Sequence, residues 1–517
     1  MKTNIIKNAI IMHHPNPPEI LAVIPKSKLI ETENERVVAV YHGVDEVQYL
    51  RNLGYAIESP ILHRYSWPGG VTPFPHQKDT AAFATLYRRG FILNEPRTGK
   101  TRSALWAADF LMNERVIRSA LVVTTKSTVE AVWGDQTRLT LLHRSCITLT
   151  GSRERKRKLA SEPADFYVIN YDSLGAVSDI LKDKVDLIIV DESTHYKSAG
   201  TTRYKMLAGM IKPTTWLWLM TGTPVSESPK DAYAQVKLVS PQNVPRTMRG
   251  WEYQTMVQLS AYRWIPKPDA TERVYAAMQP AIRVTQAESM KLMPVTEEFR
   301  ETPLTDEQRK AFDTMVKHLM ITQEGEDAVV ARNAATKVAK LLQICCGAVY
   351  RDDQSVLTLD NSYRMEALKD IIDECAQKVI VFCPFTHVTD LIAAELDKEG
   401  VTNAVVYGAT SAGKRREIFG SFCETDRPKV LIAHPKVTSH GLDLSAASTI
   451  VWWGPVYVND WWTQANERIS GINQKHVRAI FKFYGTPLER GVYDALKHKG
   501  AMQTEILNLY KRLTGAY

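Results

Sequence analysis

Phe91-Ile92-Leu93 reads as a short buried strand, and Arg102-Ser103-Ala104-Leu105-Trp106-Ala107-Ala108 as the opening of a helix. Between them runs Asn94-Glu95-Pro96-Arg97-Thr98-Gly99-Lys100-Thr101, a turn ending in Gly-Lys-Thr. Strand, turn and helix in that order aim backbone N–H groups and a helix N-terminus at one point, which suits a polyphosphate. Lys100 would reach the β- and γ-phosphates, and the Thr101 hydroxyl would hold magnesium. Arg97, Thr98 and Gly99 complete the same cradle. Taken alone, Gly-Lys-Thr could be a chance loop sequence. The strand before it and the helix after it raise its weight, and the spacing of later segments decides the matter.

A chain of 517 residues is too long for one core, so two to four domains are expected. The net charge of +8 suits a polyanionic partner without demanding one. None of the six cysteines forms a Cys-x-x-Cys pair, which argues against a zinc site. Most lie in apolar surroundings, as buried thiols in a reducing compartment do. No apolar run approaches the roughly 20 residues that span a bilayer. Near the N-terminus, Lys7 and Asn8 interrupt Ile5-Ile6 and Ile10-Ile11-Met12, so no signal peptide is read there. A cytoplasmic protein without a membrane partner is expected.

Residues 1–65 read as a small accessory unit of βα type, with a strand at Val37–Tyr41 and a helix from Glu46 to Leu53 closed by Gly54. Tyr65-Ser66-Trp67-Pro68-Gly69-Gly70 marks a boundary. Pro73-Phe74-Pro75-His76-Gln77 then opens an amphipathic helix. The Gln77 amide can donate to and accept from an adenine edge, although a surface residue at a helix start reads the same way.

After the phosphate loop, strands are expected at Ala120–Thr124, Cys146–Thr150, Phe166–Asn170, Leu187–Val190 and Trp216–Met220, with helices between them. That rhythm specifies an α/β fold with a parallel sheet covered on both faces. Ligands of such sheets bind outside the carboxyl ends of the strands. Asp191 stands at one such end, where a carboxylate can hold magnesium, usually through water. Glu192 can orient and deprotonate an attacking water. At the next strand end, Thr221-Gly222-Thr223-Pro224 can hydrogen-bond the acidic pair and transmit its state.

This order of residues resembles the superfamily 2 helicases, and within them the Swi/Snf-type double-stranded-DNA translocases. Leu292-Met293-Pro294-Val295-Thr296-Glu297-Glu298-Phe299, followed by Leu304-Thr305-Asp306-Glu307-Gln308, is similar to the family's segment between lobes. Lys340 to Cys346 resembles the helix that follows, and Tyr363-Arg364-Met365-Glu366-Ala367-Leu368 the opening of the second lobe. Thr438-Ser439-His440-Gly441-Leu442-Asp443 resembles motif V, which touches nucleotide and nucleic-acid backbone. Gln464-Ala465-Asn466-Glu467-Arg468-Ile469-Ser470-Gly471 resembles motif VI. Tyr484-Gly485-Thr486-Pro487-Leu488-Glu489 resembles the closing element.

The likeness covers roughly residues 70–500 and implies two RecA-like lobes, at 66–240 and 351–500, with a helical insert at 241–350. It implies a nucleic-acid-dependent ATPase using ATP and Mg2+. Lys100, Asp191, Glu192, Arg468 and Gln464 would form the catalytic set, with Arg468 as an arginine finger. Gln77, Gly441 and Asp443 would contact the nucleotide.

Three departures stand out. Arg97 replaces the first glycine of the family's phosphate loop, Thr194 replaces the histidine of motif II, and Gly471 replaces the second arginine of motif VI. Either Arg97 supplies charge toward the γ-phosphate in place of the missing arginine, or it points to solvent.

Two basic groups could grip phosphates: Arg153, Arg155, Lys156, Arg157 and Lys158, and Lys414, Arg415 and Arg416 after Gly408-Ala409-Thr410. The competing reading of each is a solvated helix face. Thr410, Arg415 and Thr438 take family positions of backbone contact. Trp452, Trp453, Trp461 and Trp462 could stack on bases, but packing of the lobe is the simpler expectation.

The sequence thus points to a monomeric ATP-driven motor on duplex DNA, without sequence specificity, of bacterial or viral source. A strand-separating DNA or RNA helicase, a weakly hydrolysing ATP-gated binding module and a restriction-type motor subunit are the alternatives.

Overall fold

The apolar runs of the first half become strands buried on both faces, as parallel strands under two helical layers must be. The computed structural model describes residues 3–6, 8–14, 16–24, 26–31, 36–225, 228–260, 263–289, 294–321, 338–351, 355–438, 444–470 and 474–497. Two compact units divide the chain, Met1–Ser289 and Met290–Tyr517.

The first unit begins with β1 (Thr3–Ile6), β2 (Ala9–Met12), β3 (Ser27–Glu31) and β4 (Arg36–Tyr41), an antiparallel sheet in the order β1-β2-β4-β3. Ile10, Met12, Val38 and Val40 alternate onto the face covered by Ile20, Val47 and Leu50. Gly54, at φ 91°, lies just past the helix Val44–Asn52. The accessory unit is therefore a four-stranded antiparallel sheet with helices packed on one face. Arg64 pairs with Glu114 at 2.8 Å, and the Tyr65 hydroxyl donates to Asp109 at 2.6 Å, tying the boundary segment to the following domain.

That domain is built on β5 (Arg89–Ile92), β6 (Ala120–Thr124), β7 (Cys146–Thr148), β8 (Phe166–Asn170), β9 (Leu187–Asp191) and β10 (Trp216–Met220). A hairpin, β11 (Met256–Ser260) and β12 (Arg263–Pro266), precedes the short β13 (Ala281–Ile282). The seven-stranded sheet runs β13-β5-β10-β9-β6-β8-β7, with every pair parallel. Odd and even positions feed opposite cores. Leu121, Val123, Ile188 and Val190 face one side, and Val122, Ile189, Trp218 and the helix residue Trp106 the other.

The second unit carries β14 (Val295–Glu301), a hairpin of β15 (Ala348–Tyr350) and β16 (Val356–Thr358), then β17 (Lys378–Phe382), β18 (Asn403–Val406), β19 (Val430–Ala433), β20 (Ala447–Trp452) and β21 (Arg478–Tyr484). Its six-stranded parallel sheet is ordered β14-β21-β20-β17-β19-β18. Trp452 and Trp453 are fully buried in it, which settles their role as packing.

The described residues of the expected insert at 241–350 divide between the two units. Helices Met248–Thr255 and Ala270–Ala277 fall in the first unit, where β13 extends the first sheet, while β14 extends the second. Edge pairing decides where these segments belong, and local periodicity carries no trace of it.

Candidate active site

Parallel strands in register bring three motifs to one edge. Ile92 lies beside Met220, and Met220 beside Asp191. The phosphate loop after β5, Thr221-Gly222-Thr223-Pro224 after β10, and Asp191-Glu192 at the end of β9 therefore emerge together. At roughly 4.8 Å per strand, β5 and β9 stand about 10 Å apart, a gap that a phosphate chain with its cation can span.

The loop itself is shaped by two left-handed residues, Arg97 at φ 65° and Gly99 at φ 81°. Gly99 caps the helix Lys100–Asn113, and a Cβ there would sit 2.0 Å from Gln77 Nε2. Its left-handed φ is what favours glycine there, since a Cβ would also displace the end of the Gln77 side chain. His76 Nε2 hydrogen-bonds the Thr98 carbonyl at 2.9 Å, and the Thr98 hydroxyl donates to Glu95 O at 2.9 Å. The Lys100 ammonium donates to the carbonyls of Asn94 (2.7 Å) and Glu95 (3.2 Å), curling over the loop. Gln77 is buried, and its Oε1 accepts from the Phe74 N–H at 3.0 Å. That bond ties the amide to the start of its own helix.

One clamp on this loop escaped the sequence reading. The Gln286 N–H donates to Glu95 Oε2 and its side chain to Pro96 O, both at 2.9 Å, while Glu95 N–H donates to Val284 O. The chain after β13 thus runs along the phosphate loop and fixes its outer flank.

Asp191 is braced from behind. Its Oδ2 accepts from Trp133 Nε1 at 2.9 Å and from the Thr124 hydroxyl at 3.3 Å. The Tyr171 hydroxyl donates to the carbonyl of Asp191 and, at 3.4 Å, to that of Glu192. Burial, and then the charges of Asp191 and Glu192, hold the Tyr171 pKa well above its ordinary value, so the phenol stays a donor. Glu192 is left-handed at φ 51°. Ser193 Oγ donates to Gln235 Oε1 at 2.7 Å, and Gln235 Nε2 donates to Pro224 O at 2.8 Å. This buried chain physically joins the acidic loop to the Thr-Gly-Thr-Pro loop. Signals for these partners were faint: Thr124 ends a strand of the expected sheet, but nothing local marks Trp133, Tyr171 or Gln235.

The donor set fits magnesium. A carboxylate and a hydroxyl are hard oxygen ligands, and magnesium is usually held by one or two carboxylates plus substrate phosphates and water.

In the second unit, Arg468 is buried and its Nε donates to Gln464 O at 2.9 Å, closing the turn after the helix Asn459–Asn466. Gln464 Oε1 is buried without a hydrogen-bond partner among the described residues. Thr438 ends the helix Pro435–Thr438, whereas Gly441, Asp443 and Gly471 lie outside the described residues. Arg364 and Glu489, from two of the segments that carried the family likeness, meet as an ion pair at 3.0 Å, with side chains 3% and 0% exposed. Burial lowers the Arg364 pKa, Glu489 outweighs it, and the net shift is upward.

The basic groups divide. Arg153 and Arg155 are exposed on the helix Arg153–Ser161, but Lys156 donates to Ser173 Oγ and Arg157 pairs with Asp179, each at 2.8 Å. Arg415 Nη2 donates to the carbonyls of Tyr407 (3.1 Å) and Gly408 (2.7 Å), and Thr410 Oγ1 accepts from Tyr407 N–H. Both shape their own loop.

Comparison with known proteins completes the picture. Residues 74–349 match the model of the SNF2-related domain, and residues 363–477 that of the helicase conserved C-terminal domain. A protein designated p41 of Acyrthosiphon pisum secondary endosymbiont phage 1 is 26% identical, over 85% of this chain and 99% of its own. The SWI/SNF-related matrix-associated actin-dependent regulator of chromatin subfamily A-like protein 1 of Xenopus tropicalis is 22% identical over 78% of this chain. The human DNA annealing helicase and endonuclease ZRANB3 is 23% identical over 84%. The chain spans only 42% and 40% of the frog and human proteins. A solved SWI2/SNF2 ATPase core of Sulfolobus solfataricus, in complex with dsDNA, is 19% identical, with a TM-score of 0.41 over 87% of this chain and 95% of that one. With the SNF2-related domain alone matching more than half of its length, the chain belongs to the SNF2-related family of helicase-like ATPases.

Proposed function

We propose that the protein is an ATP-driven motor that moves on double-stranded DNA and remodels or reanneals it. The observation that carries this reading is the meeting of the phosphate loop, the Asp191-Glu192 pair and the Thr221–Pro224 loop at one sheet edge. In it, Gln77, Arg97, Thr98, Gly99, Lys100 and Thr101 bind ATP, with Gly441 and Asp443 contributing from the second unit. Thr101 and Asp191 hold magnesium, which when bound neutralises phosphate charge. Glu192 orients and deprotonates the attacking water, while Lys100 and Arg468 stabilise the transferring phosphoryl group and Gln464 supports Arg468. The bridge from Ser193 through Gln235 to Pro224 supports coupling, since it gives nucleotide state a route from the acidic loop to its neighbour.

The name of the human relative, a DNA annealing helicase, favours duplex reannealing over unwinding. Arg153, Arg155, Lys156, Thr410, Arg415 and Thr438 remain the proposed contacts to the nucleic-acid backbone, with the exposed Arg153 and Arg155 the freest to reach it. Binding of that kind is salt-dependent and sequence-tolerant. A triplex-displacement assay tests the proposal, because displacement requires movement but not strand separation. ATP-dependent displacement by the wild-type chain, lost in Lys100→Ala, is expected. ATP turnover that duplex DNA leaves unchanged, with no displacement, would leave only an ATP-gated binding module.

A further inference from the structure

We infer that Trp133 and Thr124 are positioning residues that aim the Asp191 carboxylate at the nucleotide-bound cation. This rests on the proposed role of Asp191. Three observations carry it. First, both donors converge on one oxygen: the Trp133 indole N–H lies 2.9 Å and the Thr124 hydroxyl 3.3 Å from Oδ2. No hydrogen bond among the described residues reaches Oδ1, so the carboxylate is held by one oxygen and presents the other.

Second, the bracket is rigid. Trp133 and Thr124 are fully buried. The Thr124 hydroxyl is also bonded to Thr128 Oγ1 at 2.6 Å, and Thr128 to Thr125 Oγ1 at 2.9 Å, so it is the end of a buried hydroxyl chain. Third, Trp133 reaches Asp191 from Val129–Gly134, a π-helical turn. Such turns are rare and gather at functional sites. Here the widened turn directs a large indole inward at the end of β9. Outer partners of this kind fix a ligand's orientation, and their loss typically costs 10–100-fold in metal affinity.

The test uses the full chain with ADP, and Mn2+ as a paramagnetic stand-in for magnesium, titrated by electron paramagnetic resonance. Trp133→Phe keeps most of the packing and removes the donor. It is expected to weaken Mn2+ binding in the ADP complex about tenfold or more, with ADP affinity in EDTA unchanged. Thr124→Val should weaken Mn2+ less, and Thr124→Ser should restore it. If Trp133→Phe fails to fold, the Thr124 pair decides the issue. Mn2+ affinity equal to wild type in a folded Trp133→Phe chain overturns the inference. So does an equal loss of ADP affinity in EDTA, which is what general loosening produces. Asp191→Asn is the separate control: if it binds Mn2+ as wild type does, the metal assignment of Asp191 is what fails.

Discussion

Arg97 occupies the left-handed region at φ 65°, where L side chains are strained by roughly 1–2 kcal/mol. A bulky residue persists there only if its surroundings hold it or its side chain has a use. Arg97→Gly should therefore stabilise the chain by up to about 1 kcal/mol, the relief being offset partly by glycine's freedom when unfolded. If the guanidinium serves the γ-phosphate, DNA-stimulated ATP turnover falls in the same variant; unchanged turnover removes that role. His195 gives a pH test. Desolvation beside Tyr171, and then the Arg203 guanidinium, lower its pKa to about 4. The unfolded chain binds this proton near pH 6.5, so the contribution is full above that pH and is lost as pH falls toward 4. Thermal unfolding of His195→Asn should lose less stability than wild type between those limits. Residue types such as Arg97 were legible in the sequence; the backbone angle was not. Nor was Trp133, whose hydrogen-bond partner is 58 positions away.

Among segments, the buried Arg364–Glu489 pair joins the helix Ser362–Glu374 to Pro487–Lys497, the last described helix of the second unit. Glu489 also accepts the Gly485 N–H at 2.8 Å, and Arg364 donates to Trp453 O at 2.7 Å and Thr302 Oγ1 at 3.1 Å. Removing one partner leaves an uncompensated buried charge, which costs about 3–5 kcal/mol. Glu489→Leu should lower the urea midpoint of the second unit accordingly, and the double variant Arg364→Met/Glu489→Leu should recover much of the loss. An additive double variant would show that the pair is not coupled. The strands and the three edge motifs were readable because buried parallel strands leave continuous apolar runs with chemistry at their ends. The placement of β13 and β14 was not, since a short edge strand is assigned by its hydrogen-bond partner. The bridge through Gln235 escaped for a similar reason: its partners Ser193 and Pro224 lie 42 and 11 positions from it.

For the proposed motor, the decisive question is whether a residue of the second unit takes part in the chemistry proposed for the first. Lys100, Thr101, Asp191 and Glu192 all belong to the unit Met1–Ser289, and Arg468 to Met290–Tyr517. If Arg468 acts only as phosphoryl charge grows, its loss should spare ground-state binding and damage turnover, because an interaction made mainly in the transition state affects kcat. Arg468→Ala is expected to bind ADP close to wild type while kcat falls about 10³–10⁵-fold, the range for a lost arginine finger. Because Arg468 Nε also closes its own turn onto Gln464 O, Arg468→Lys separates the two roles. Lysine keeps a positive charge but not the planar fork, so a conformational role predicts loss of folding stability in both variants, and a chemical role predicts loss of turnover at wild-type stability. Turnover at the wild-type rate in a stably folded Arg468→Ala chain would mean that the first unit hydrolyses ATP unaided. Hydrolysis could then no longer be linked to movement of one unit against the other through this arginine.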